Sequence, residues 1–199
     1  LSARAEDSKQ WEWMIGKNFH ALQMQKALSP KLRVPTHKYV FDGFGKANKI
    51  ESQEFVTVGS LAKGGLSNAW GAGVSYFDDV DLKDYPITAS SLELSYKAIT
   101  NRIGVSGLND DMSLFHGEMN NLQQPLKLDE NSQSLIHRYN NNPKRAHLHG
   151  IKLGHNRHAV ISTSMNDRSA CQYCGLCLWG CAHQSIYNSV QDLDILKRN

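Results

Sequence analysis

Cys171, Cys174, Cys177 and Cys181 are the residues whose type and spacing point most directly to chemistry. They form a C-x2-C-x2-C-x3-C run, and the 170 residues before them contain no cysteine. A disulfide framework spreads its cysteines along the chain to close loops. Four in one short loop instead turn several thiolates toward a common centre, and iron–sulfur clusters use this spacing. Gly175 and Gly180 let the backbone fold round such a core. A mononuclear zinc usually takes its ligands as two separated pairs. Zinc stays open as an alternative, and so do redox-active thiols. Either Cys181 joins the same cluster in a different geometry or one of the four is spare, and three ligands would suit a three-iron cluster.

A second constellation lies at Lys63-Gly64-Gly65-Leu66-Ser67-Asn68-Ala69-Trp70-Gly71-Ala72-Gly73. Without side chains at Gly64 and Gly65, backbone N–H groups can approach a phosphate or a ring oxygen closely. Ser67 and Asn68 can add hydrogen bonds. A plain tight turn accounts for the same residues.

These residues need elements to position them. Residues 52–60 alternate apolar and polar with β-branched side chains, which predicts a strand running into the glycine turn. A helix is expected over 3–28, stopped by Pro30, with loop over 30–50 and short extended pieces at Val34-Pro35 and Tyr39–Phe41. Ser90 and Glu93 have capping-box spacing and start a helix that Gly104 and Gly107 end. Another helix is expected over 129–140, broken by Asn140-Asn141-Asn142-Pro143. Strands are expected within 145–161, and a helix over 184–198. The order is mixed helix and strand, so the expected class is α/β (mixed α+β). No βαβ pattern is complete, which leaves any Rossmann-like core incomplete.

The totals exclude several classes. The chain has 199 residues, 40% hydrophobic and 21% charged, with net charge +3 and mean hydropathy −0.48. That composition suits a soluble globular protein. Lys and Arg are scattered, which gives no nucleic-acid footprint. No run approaches the roughly 20 apolar residues of a membrane span. The first residues are polar, with no signal-peptide core. The compartment, cytoplasmic or periplasmic, stays open.

No G-x-S-x-G, H-E-x-x-H or P-loop occurs. Among nine histidines, His147 and His149 alternate as on one side of a strand, and His155 and His158 follow closely. They read as surface or loop residues. Asp78, Asp79, Asp81 and Asp84 read as a solvated loop.

Taken together, residues 63–73, then Asp84-Tyr85-Pro86-Ile87-Thr88, a helix and Ile103–Gly107 resemble the flavin-contacting segment of the glucose–methanol–choline (GMC) oxidoreductases. In the sugar-oxidising branch a GG-x-S-x-x-W stretch lies against the FAD. Gly64, Gly65, Ser67 and Trp70 fall on that pattern, with Asn68 and Gly71 beside them. The cysteine run and the helix-forming residues after Gln184 are similar to the cysteine segment of bacterial members. Cys171, Cys177 and Cys181 also match the C-x5-C-x3-C pattern that FAD-dependent glucose dehydrogenases of the family use for a three-iron cluster. The resemblance covers roughly 52–107 and 165–196.

The resemblance implies part of a dehydrogenase that oxidises a CH–OH group of a sugar, polyol or other alcohol. Electrons would pass from FAD through a 3Fe-4S or 4Fe-4S cluster to an acceptor protein or subunit. It divides the chain into a helical and loop segment (1–50), a flavin-contacting segment (51–107), a mixed insertion with strands (108–164) and the cysteine loop with its following helix (165–199). Ala69 stands where some relatives carry a flavin-linking histidine, which implies non-covalent FAD. Ala182 replaces a frequent proline. The N-terminal G-x-G-x-x-G fingerprint and the C-terminal catalytic histidine region are missing. The chain is therefore expected to be an internal fragment, inactive alone, with no catalytic residue assigned. The alternative is a stand-alone iron–sulfur electron carrier or a zinc-stabilised binding domain without flavin.

Overall fold

The structure, a computed structural model, describes residues 37–49 and 58–198. They fall into two compact units. The first holds the described residues through Gly71, with Tyr173–Ala182 and the chain from Asn188 on. The second holds Ala72–Gln172 and His183–Tyr187.

In the first unit, α1 (Lys38–Phe41) and α2 (Phe44–Asn48) are single turns separated by Gly43 at φ 75°. Tyr39–Phe41 is thus helical, not extended. The expected helix over 3–28 and most of the expected strand over 52–60 lie outside the described residues, and 58–60 has no regular structure.

The second unit is built around four helices: α3 (Ala89–Ile103), α4 (Ser113–His116), α5 (Glu130–Asn141) and α6 (Pro143–Leu148). The cap of α3 is Thr88, whose side chain accepts from the Ser91 N–H at 3.3 Å. Ser90 lies inside the helix. The start moves two residues upstream because the Asp79 carboxylate takes the Ala89 N–H at 2.8 Å, satisfying a donor that the first turn leaves orphaned. Gly104 ends α3 at φ 70°, as the sequence predicts. Asp129 caps α5 by accepting from the Asn131 and Ser132 N–H groups at 3.0 and 3.1 Å. Asn142 closes α5 and caps α6, with Pro143 at the start of α6, where its missing N–H costs nothing.

The strands expected within 145–161 give way to this second helix and an irregular stretch. His147 lies on α6 and His149 is its C-cap, so they do not alternate on a strand. Pairing among the described residues is limited to isolated bridges. Residues 157–161 form their hub. His158 exchanges N–H···O bonds with Ser106 on one side, and Gly73 lies on the other. Val160 pairs with Ile186. Ala159 and Ile161 are fully buried here, with Val105 and Ala72 close to it. The described residues are mixed but mostly helical. The expected helix over 184–198 shortens to α7 (Ser189–Leu196) in the first unit, because Ile186 is taken by its bridge and Asn188 caps the helix.

Two buried arginines replace the missing sheet as organisers of the second unit. Arg168 donates to the Ser185 and Gln184 carbonyls at 2.9 and 3.0 Å and to that of Ile103. Arg157 holds the loop from Leu108 to Gly117. Planar guanidinium groups with several donors suit this bridging between carbonyls.

Candidate functional site

The glycine turn is a 3-10 turn, Gly65–Asn68, entered through Gly64 at φ 88°. Its polar side chains serve the turn itself. The Ser67 hydroxyl donates to the Gly64 carbonyl and accepts the Ser189 N–H at 3.0 Å, at the start of α7. The Asn68 amide donates to the Lys63 and Gly65 carbonyls at 2.8 and 2.9 Å. Lys63 pairs with Asp194 of α7 at 2.8 Å. A Cβ on Gly64 would lie 2.5 Å from Val190, so docking on α7 demands that glycine. Positions 65 and 71 differ: a Cβ at either would meet nothing within 4 Å. Ala69 is buried and Trp70 half-buried. Of the six predicted residues, Ser67 and Asn68 fix the turn, while Gly65 and Gly71 leave open space beside it.

The cysteine run has no regular structure except a 3-10 turn, Cys177–Trp179. Tyr173, Gly175 and Gly180 take φ values of 53°, 71° and 105°. Cys171, in the second unit, is anchored by its N–H to the Ile161 carbonyl at 2.9 Å. Cys174, Cys177 and Cys181 belong to the first unit. None of the four is in a disulfide. Among the described residues, no three His, Cys, Asp or Glu side chains are grouped to hold a metal.

No protein-family model matches the chain, and no curated protein is significantly similar to it. The site must therefore be judged on its geometry.

That geometry contains a cleft of about 550 Å³ in the second unit, which sequence reasoning missed. Asp110, Asp111, Glu118, Tyr139, His147 and His155 line it. The Tyr139 hydroxyl donates to Asp111 Oδ2, and His147 Nε2 lies 2.7 Å from the same oxygen and 2.9 Å from the Tyr139 oxygen. Those bonds hold the Asp111 carboxyl below the usual carboxylate range, Tyr139 contributing most and His147 next. Desolvation, and then the bond to Asp111, push the Tyr139 phenol up. Asp110 Oδ2 accepts both the backbone N–H of His155 at 2.7 Å and its ring Nδ1 at 3.1 Å. The residues come from the loops on either side of α4, from α5, from α6 and from the stretch after it. No local spacing joins them, so no periodicity could have revealed the cleft.

Proposed function

We propose that the chain is part of an FAD-dependent dehydrogenase of the GMC type, acting on the CH–OH group of a sugar, polyol or other alcohol. The observation that carries this reading is the cysteine loop. Three residues with positive φ within eight positions, Tyr173, Gly175 and Gly180, keep this thiol-rich stretch out of helix and strand. By type and sequence spacing the four thiols fit iron as a donor set, with Cys171, Cys174, Cys177 and Cys181 as the ligands to be tested. Its fold would be a partial FAD-binding architecture with an incomplete Rossmann-like core.

The glycine turn fits a flavin by its backbone. Gly65 and Gly71 leave the turn bare where side chains would stand, so a ring can approach them. Ser67 ties that surface to the start of α7, and Asn68 holds the turn itself rigid. Trp70 supplies an aromatic wall. Ala69 offers no nucleophile, which keeps the flavin non-covalent. When bound, flavin supplies hydride acceptance and a cluster supplies single-electron relay to an acceptor protein or subunit. No helix among the described residues is long and apolar enough to cross a membrane.

The test is anaerobic purification in the native gene context, with a visible spectrum and assays for iron, zinc and acid-labile sulfide. Iron with matching sulfide and bound flavin is expected, with iron lost on Cys177→Ser. Zinc without sulfide or flavin would overturn the proposal in favour of a zinc-stabilised binding domain.

A further inference from the structure

The cleft of the second unit has a lopsided chemistry. Tyr139 has one hydroxyl proton, and it goes to Asp111. His147 Nε2, beside the same carboxylate oxygen, must then carry a hydrogen, shared between Asp111 and the Tyr139 oxygen. In the neutral ring that leaves a lone pair on His147 Nδ1. His155 is fixed the other way round: its Nδ1 donates to Asp110, leaving the lone pair on Nε2. Neither spare nitrogen has a partner among the described residues, and both residues line the cleft. Glu118 lines the same cleft and makes no hydrogen bond among the described residues. The three lining carboxylates face no lining Lys or Arg. Of the cations near them, Arg157, whose guanidinium bonds carbonyls, Asn109 and Ser113, still interacts electrostatically with Asp110 and Glu118, and Lys152 lies near Asp111; neither lines the cleft. The walls between the polar groups are apolar, with Leu108, Ile136 and Leu153 among them.

We propose that this cleft binds a small alkylammonium cation, a diamine or polyamine. An ammonium group has three donors and no acceptor, the complement of two imidazole lone pairs and an unbonded carboxylate. Its methylene chain suits the apolar walls, and the volume is that of ordinary small-molecule sites. A neutral polyol would meet the acceptors but not the excess negative charge, since the three carboxylates outnumber Arg157 and Lys152. The inference is independent of the flavin reading, since it uses none of its residues.

The experiment is calorimetric titration of the protein with cadaverine, spermidine and, as the uncharged control, 1,5-pentanediol, at matched ionic strength. The amines are expected to bind with one-site saturation in the range of about 1 mM or tighter, about −4 kcal/mol, and the diol is not. Glu118→Gln, on an exposed side chain with no hydrogen bond to lose among the described residues, is expected to weaken spermidine about three- to fivefold, the upper range for one solvent-facing ion pair. His155→Gln should weaken it as well, with Glu118→Gln guarding against misfolding as the explanation. Equal binding of the diol, no saturation by either amine, or unchanged affinity in Glu118→Gln would each overturn the proposal.

Discussion

Replacing Arg157 with methionine should cost about 3–4 kcal/mol of stability. The side chain is fully buried. Its Nη1 donates to the His116 carbonyl at 3.0 Å and to the Gly117 carbonyl; its Nη2 donates to Asn109 Oδ1 at 2.8 Å and Ser113 Oγ at 3.1 Å. Three of these acceptors keep another option. The His116 carbonyl also receives the Tyr76 N–H at 3.1 Å, Asn109 Oδ1 also receives the Met119 N–H at 3.2 Å, and the Ser113 hydroxyl can rotate. Each therefore loses only a net hydrogen bond, about 1 kcal/mol. The Gly117 carbonyl has no second partner among the described residues and loses about 1–3 kcal/mol. Relief of the buried charge, which already depresses the Arg157 pKa through desolvation, and the apolar packing of methionine return part of that sum.

Urea unfolding followed by circular dichroism checks the figure. With a slope of about 2–3 kcal/mol per molar urea, the midpoint should fall by about 1–2 M. Arg157→Lys should be nearly as damaging, because one ammonium cannot reach acceptors on both sides of the loop. Hydrogen exchange should quicken over residues 108–117, the loop that presents Asp110 and Asp111 to the cleft. A loss under about 1 kcal/mol for Arg157→Met, or a lysine variant equal to the parent, would refute the claim that this guanidinium organises the loop.

Gly104→Ala should cost about 2–4 kcal/mol, since it adds left-handed strain at φ 70° and a Cβ placed 2.4 Å from the buried Ile161 side chain. Gly65→Ala, at φ 56° in open space, should cost only about 1–2 kcal/mol, and equal losses in a melt would refute the distinction. Stability should also fall as pH drops below about 6.5. Burial first, then the neighbouring His116, lowers the His158 pKa; burial first, then Arg157, lowers that of His116. Below the unfolded value the unfolded chain binds more protons than the native one, so stability rises with pH across that window and flattens above it. His158→Gln should reduce the slope of urea midpoint against pH, and an unchanged slope would count against it.

Local rules were legible in the sequence where the partner lies within a turn of the chain. Asp129 as a cap and Gly104 as a stop follow from residue type alone, because the groups they satisfy are a few positions away. The start of α3 was misplaced because Asp79, ten residues upstream, supplies the deciding bond. Asn142-Pro143 was read only as a breaker, yet the same two residues end one helix and open the next. The strand reading of 145–161 failed at that point: once Pro143 starts a helix, the His147–His149 spacing no longer means one face of a strand.

The remaining structure was illegible for a physical reason. Arg157 and Arg168 bond mostly to backbone carbonyls, which every residue carries, so nothing in the partner's identity marks the pairing. The cleft inherits that silence. Asp110 and Asp111 can meet His155 and His147 only because Arg157 fixes the loop beneath them. The glycine turn shows the converse. Its residue types look poised for a ligand, but the Ser67 hydroxyl proton and the Asn68 amide donors are committed to carbonyls of the turn itself. What the turn retains for binding is bare backbone at Gly65 and Gly71. A ligand there would be recognised by shape and backbone donors, and Ser67→Ala would impair binding by loosening the turn from α7.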